Sequence, residues 1–415
     1  MPPSHILIRG ARQLITLRGS KLPRRGPELK ELNIIPDGAL LIKNGLIDQV
    51  GPGRRVENLA EARDAVEISA AGRVVMPGFV DSHTHMLFPP PGCPALELQD
   101  AARAVRSGSG QRIQVKAQAH LQSMARHGTT TVEAKTGCGL DESAEMKLLR
   151  VLEALKNDPL YLAPTFLFRQ PPRDADGARA MDWLLLEFLP KIQRRHFAQF
   201  ADMAWEEDPS GDSFFSMYLE AARRLHLPSK IHAERMHVSR AVAMAVRHGA
   251  IAVDHLEQAT AADAAVLANS ETLATLLPCA GFCNGGSNAP ARTLIDAGVA
   301  VALGSDFNPH HTPTLNMQTV VALACLRLGM TPAEAVSAAT INGAHALGRA
   351  DRVGSLEAGK SADLVLLNCS DYRDLTQCFG MNLVHTTMKS GQFIYREGKV
   401  EPQPAQEFSH MPLWD

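Results

Sequence analysis

Hydrophobic and polar positions change rhythm twice along this chain of 415 residues. Near the start, Ile6 to Leu17 and Gly38 to Val50 are short alternating segments, the pattern of half-buried strands. Asn44-Gly45 between two apolar runs is a tight hairpin signal. The alternation returns after residue 350, in Ala362 to Leu367 and again in Phe393 to Val400. Both ends therefore read as β-structure. In the middle, short apolar runs of strand type alternate with longer helical stretches. The candidate strands are 78–81, 129–134, 162–168, 200–205, 230–233, 251–255, 273–278 and 299–304, eight in all. The helical stretches include 112–126, 142–156, 213–225 and 238–247. Gly128, Gly249 and Gly298 stand where a helix should stop ahead of a strand. Eight such units, spread over about 270 residues, fit an α/β fold of the (β/α)8 TIM-like barrel type. The alternative is an open doubly wound sheet. That fold normally carries a glycine-rich phosphate loop after its first strand, and here the first strand runs into His83-Thr-His85.

Composition narrows the function classes. Lys plus Arg total 42 against 44 for Asp plus Glu, a net charge of −2, so no electrostatic footprint for nucleic acid is present. With 45% apolar residues the chain can bury a large core without a disulfide or metal staple. Seven cysteines are scattered, and the only close pair, Cys279 and Cys283, has no second pair to complete a zinc site. The first 19 residues lack the apolar stretch of a secretory signal. No run approaches the ~18 apolar residues of a membrane span. The expectation is a cytoplasmic protein with reduced thiols and no membrane partner.

In a barrel, chemistry sits at the C-terminal ends of the strands. The first candidate strand leads into Asp81-Ser-His83-Thr-His85. Two histidines at i and i+2 on extended chain face the same side, so both imidazoles can reach one metal ion. The fifth strand carries His232, the sixth ends in Asp254-His255, and the eighth runs into Ser305-Asp306. Three imidazoles and one carboxylate suit zinc, iron or manganese, not calcium or magnesium. His83, His85, His232 and Asp306 would leave a position for water, whose pKa the metal lowers towards ~7. Asp306 could then accept the proton and pass it to a leaving nitrogen, with His255 polarising a carbonyl. Lys135 admits two readings, a carboxylated lysine bridging two metals or a structural ion pair. Glu206 is either a second-metal ligand or a hydrogen-bonded acid behind the ligands. Arg169 and Arg235 could clamp a substrate carboxylate or lie solvated. His310-His311 is a loop pair of which one member at most can line the site. His120, His196, His226 and His345 fall on helical stretches.

Two segments carry a resemblance. Pro77-Gly-Phe-Val-Asp-Ser-His-Thr-His and Gly354-Ser-Leu-Glu-Ala-Gly-Lys-Ser-Ala-Asp-Leu-Val resemble the first-strand and return motifs of the amidohydrolase superfamily. Within it the chain is most similar to the imidazolonepropionase family. The segments that carry this are Gly128 to Leu140, Ala163 to Leu167, Lys230-Ile-His-Ala, Asp254-His-Leu, Leu276-Leu-Pro, and Ser305-Asp-Phe-Asn-Pro with Thr312-Pro-Thr. The resemblance implies a discontinuous β-sandwich domain from residues 1–76 and 352–415 around a catalytic barrel of 77–351. It also implies hydrolysis of a C–N bond in a cyclic amide and one bound zinc or iron. It makes His83, His85, His232 and Asp306 the metal ligands and His255 the catalytic histidine. A small-molecule substrate and a dimer or larger assembly follow from it too. Four substrate-facing positions depart from the family: Gly92 replaces an arginine, Cys138 a tyrosine, Gln170 a histidine, and Arg235 an acidic or amide residue. Two alternatives within the superfamily stay open. An amino-heterocycle deaminase would carry a glutamate where Arg235 stands, and a dipeptidase-like enzyme would hold two metals through Lys135 or Glu206.

Overall fold

The computed structural model describes residues 5–19, 21–89, 98–169, 175–204, 212–233, 235 and 238–398. Its centre is one sheet of eight parallel strands in sequential order. These are β1 (Phe79–Asp81), β2 (Thr129–Lys135), β3 (Tyr161–Arg169), β4 (Phe200–Ala204), β5 (Ser229–Ala233), β6 (Ala252–His255), β7 (Leu273–Leu276) and β8 (Val301–Leu303). Each coincides with one of the eight apolar runs, within a few residues at its ends.

The sheet closes on itself just beyond the strands. Thr84 bridges Phe307 in parallel. The Asp306 amide donates to the His83 carbonyl at 3.1 Å and the His85 amide to the Phe307 carbonyl at 2.8 Å. Below this, the buried Asp81 carboxylate accepts from the Ser305 amide at 2.9 Å and from its hydroxyl at 2.6 Å. The seam is thus made by the segments that follow β1 and β8.

Helices follow the strands where the caps dictate. Gly110–Arg126 begins at Ser109, whose hydroxyl accepts from the Arg112 amide. Glu142–Leu155 begins at Asp141, whose side chain accepts from Ala144. The three helix-ending glycines take left-handed backbone, φ 93° at Gly128, 70° at Gly249 and 89° at Gly298. At Gly128 any Cβ would also meet Val365, Val384 and Phe79 at 3.1–3.2 Å, so both backbone and space require glycine there. His196 and His226 lie just past their helices, not within them, also left-handed at φ 52° and 54°.

The two ends form two further sheets. One holds four strands in the order Leu46–Pro52, Gly38–Lys43, His5–Ala11, Val66–Ser69. The other holds six: Gln392–Arg396, Val384–Lys389, Leu364–Leu367, Val74–Pro77, Gln13–Ile15, Ile34–Ile35. Asn44 and Gly45, at φ 51° and 81°, make the expected tight turn between Gly38–Lys43 and Leu46–Pro52. Ile6, Ile8, Leu40 and Ile42 from the first sheet pack against Val75, Leu364, Leu366 and Met388 from the second. That shared apolar core is what makes a sandwich of them. No described helix is long and apolar enough to cross a membrane.

Candidate active site

The C-terminal mouth of the barrel gathers the histidines. His83 and His85 follow β1, His232 lies in β5, His255 ends β6 and Asp306 follows β8. All five are buried, with His83 at 0% exposure and His85, the most open, at 8%. The His83 and His85 Nε2 atoms stand 3.2 Å apart, and His232 Nε2 is 3.4 Å from His85 Nε2. Asp306 Oδ1 is 3.6 Å from His83 Nε2 and 3.8 Å from His85 Nε2.

The tautomers explain why such a cluster is chemically incomplete. His83 Nδ1 lies 2.7 Å from Asp254 Oδ2, and His232 Nδ1 lies 3.1 Å from Asp202 Oδ2. Carboxylates accept, so both Nδ1 atoms carry the proton and both Nε2 atoms present bare lone pairs. Burial opposes charge on Asp254, but the Lys230 and Lys135 ammoniums outweigh it and hold that carboxyl well below its usual range. Burial also holds the His83, His85 and His232 imidazoles well below their ordinary value; the Lys135 charge adds to this at His83 and His232. Neutral imidazoles converging with a carboxylate form a donor set for a divalent cation of the zinc or iron type. The groups His83, His85, Asp306 and His83, His232, His255 each bring their donor atoms within 4.8 Å of one another.

His255 differs from the others. Its Nδ1 sits 3.1 Å from Glu257 Oε1. Burial works to lower this imidazole, yet the Glu257 carboxylate outweighs it and the group is raised above its ordinary value. Asp306 is raised by burial, with the His255 charge acting the other way, and its Oδ2 accepts from the Thr312 hydroxyl at 3.1 Å. His255, Leu256 and Asp306 all adopt left-handed backbone, with φ of 85°, 69° and 55°. Such strain at non-glycine residues persists only where the surroundings impose it.

Beneath the histidines lies a fully buried charge cage. Lys135 Nζ donates to Asp202 at 2.6 Å, and to Glu133 and Asp254 at 3.1 Å each. Lys230 Nζ donates to Glu133 at 2.6 Å and to the Ser82 carbonyl at 2.8 Å. The Thr165 hydroxyl donates to Glu133 at 2.6 Å. Burial lowers Lys135, but Asp202, Glu133 and Asp254 together outweigh it and raise the ammonium above its usual range.

The substrate-facing candidates sit around this mouth. Cys138 is buried, its thiol pushed up by that burial and 3.9 Å from the Leu87 carbonyl. Arg169 is half-buried, donates from Nε to the Gly137 carbonyl at 2.9 Å, and projects its charge on His85 and His232. Arg235 is exposed, and its charge acts on His255 and Asp306. Of the loop pair, His311 packs its ring 5.8 Å from Phe88 and lies within the fields of Arg235 and Arg169. Gly92, Gln170 and Glu206 lie outside the described residues.

Sequence reasoning about ligands missed Asp202, Asp254, Glu133, Lys230 and Glu257. A signal existed for four of them. They are charged residues inside strands whose neighbours are apolar, and such charges are kept in a barrel interior only when paired.

Comparison with known proteins bears on the family and the fold. The amidohydrolase family profile matches residues 74–394. The imidazolonepropionase of Geobacillus kaustophilus is 37% identical, over 95% of this chain and 99% of its own length. That of Symbiobacterium thermophilum is 38% identical, over 96% and 99%. Among solved structures, an adenosine deaminase from Xanthomonas campestris with bound zinc superposes with a TM-score of 0.70 at 20% identity, covering 94% of this chain and 92% of its own. A triazine hydrolase from Arthrobacter aurescens gives 0.74 at 18% identity, covering 95% of each chain. At that identity the two structures share the fold. With a family profile spanning most of the chain and relatives this similar along nearly their whole length, the chain belongs to the amidohydrolase family and, within it, to the imidazolonepropionase family.

Proposed function

We propose that this protein hydrolyses the C–N bond of a small cyclic amide, with imidazolone propionate as the first candidate substrate. The reading rests on one observation above all. Three buried, neutral imidazoles converge with Asp306, and Asp254 and Asp202 turn the Nε2 lone pairs of His83 and His232 inward, in a chain 37% identical to a curated imidazolonepropionase. His83, His85, His232 and Asp306 would hold the divalent ion, zinc or iron. Once bound, the ion would act as a Lewis acid that acidifies a water at neutral pH.

The chain's own residues carry the protons. Asp306 Oδ1 faces His83 and His85, while Oδ2 is held by Thr312. Its carboxylate takes the proton of the attacking water and delivers it to the ring nitrogen as the C–N bond breaks. His255, whose imidazole the Glu257 carboxylate raises above its ordinary value against the opposing effect of burial, donates from Nε2 to the carbonyl oxygen and stabilises the negative charge that develops there. Arg169 and Arg235 supply positive charge on the substrate side of the cluster, suited to an acidic side chain on the ring.

The two-metal reading is disfavoured by the cage. Carboxylation of Lys135 would replace an ammonium with an anion facing Glu133, Asp202 and Asp254 at 2.6–3.1 Å. Arg235, a cation, stands where the deaminase reading needs a glutamate.

The test is metal content per chain on protein purified without chelator, beside turnover of imidazolone propionate followed by loss of its ultraviolet absorbance. About one zinc or iron per chain with ring opening, both lost in His232→Ala, is the expected result. A wild-type protein without metal would overturn the mechanism. Metal without turnover would retain the centre and move the substrate to another cyclic amide.

A further inference from the structure

The cage of Glu133, Lys135 and Lys230 is fully buried beneath the histidines, and it touches both carboxylates that orient them. Asp254 holds the Nδ1–H of His83 at 2.7 Å, and Asp202 that of His232 at 3.1 Å. Lys135 reaches both acids from one nitrogen, at 3.1 and 2.6 Å. Lys230 lies 3.4 Å from Asp254 and donates to the carbonyl of Ser82, the residue before His83. Glu133 ties the two ammoniums together and is itself held by Thr165. All five charged side chains are fully buried. Three barrel strands, β2, β5 and β6, together with β4, are joined through this one set of contacts.

The charge arithmetic makes the arrangement specific. Three carboxylates against two ammoniums leave one negative charge, and Asp306 adds a second beside the histidines. Uncompensated buried charge is costly, and a divalent cation on the imidazoles would offset this local excess. From this geometry we infer that Lys135, with Lys230 and Glu133, is a positioning set: it fixes Asp202 and Asp254 so that His232 and His83 present Nε2 to the metal. Removing the Lys135 charge would leave Asp202 and Asp254 repelling each other, and the two imidazoles would lose their fixed tautomer and tilt. The inference rests on the metal centre proposed above.

The experiment compares wild type, Lys135→Met and Asp202→Asn as metal-loaded proteins. Zinc affinity is measured by competition with a chromophoric chelator, and ligand geometry by the visible absorption bands of the cobalt(II)-substituted forms. Supporting partners behind metal ligands typically contribute 10- to 100-fold in affinity, so a loss of about that size is expected in both variants. The cobalt bands should shift in position and intensity as well. Leu366→Ala, a buried truncation in the sandwich, should move neither readout. If Lys135→Met does not fold, Glu133→Gln, which keeps the shape of the cage and touches no histidine, decides by the same two readouts. Wild-type affinity and unchanged cobalt bands in the variants that fold would overturn the inference. So would two ions per wild-type chain falling to one in Lys135→Met, since Lys135 would then be a ligand. Wild-type protein that binds no zinc would instead defeat the metal centre itself, which separates the two failures.

Discussion

The sandwich and the barrel mouth are equally buried, and they are buried by opposite means. In the sandwich, Ile8, Leu40, Leu364 and Leu366 fill the space between two sheets with apolar volume. Beneath the mouth, Glu133, Lys135, Asp202, Lys230 and Asp254 fill the interior with paired charge. An apolar core is specified by volume, and a substitution there is felt through cavity and transfer terms. A charged core is specified by partners, and leaving one member unpaired is felt through desolvation. The same chain therefore has one region whose changes should register as stability and another whose changes should register as chemistry.

That division can be broken from either side. The largest effect is expected at Asp306→Asn, where the amide keeps the shape but cannot take a proton. Turnover per bound metal should fall by about 10²- to 10⁴-fold, the usual contribution of a positioned general base. The thermal midpoint should move little; steady-state kinetics beside metal analysis reads both. Leu366→Ala tests the opposite side. It should destabilise the fold by roughly 2–5 kcal/mol in denaturant titration and leave kcat per folded molecule unchanged. A large kcat loss there would mean that the sandwich and the mouth are coupled after all.

The smallest effect concerns His345, in the short helix Gly343–Ala346 that abuts β1 and β8. Burial, aided by the Lys360 charge, lowers this imidazole to about 4. The fold therefore favours its neutral form. As pH falls below the ordinary value of 6.5, the unfolded chain takes up the proton first. The stability this group supplies is present above about pH 6.5 and is lost progressively as pH falls towards 4. His345→Gln should flatten that part of the stability–pH curve without altering metal content.

Much of the barrel was legible because each of its strands is a compact apolar run, and three of them are set off by a helix-ending glycine. The histidines and the aspartate that gather at the mouth stood out for a related reason. Histidine and aspartate at a strand end have no role in packing that apolar side chains would not fill better. Asp202, Lys230 and Asp254 were harder. A charged residue inside a strand can point inward or outward, and only the closed barrel decides which. Val384–Lys389 was missed for a similar reason, because its threonines Thr386 and Thr387 break the apolar alternation although both are buried. Glu257 carried no signal at all. It matters only because the backbone turns left-handed at His255 and Leu256 and brings the carboxylate back onto the ring.

The seam between β1 and β8 bears on how the molecule reaches its final state. The bonds from Asp81 to Ser305 span 224 residues of chain, and the segments that carry His83, His85 and Asp306 close with them. Contacts this distant form only after the ordering of most of the intervening chain has been met, which places them late in folding. The His83–His85 pair and Asp306 thus meet when the circle is completed. An ion that needed both segments at once would favour the closed ring over partly wound forms.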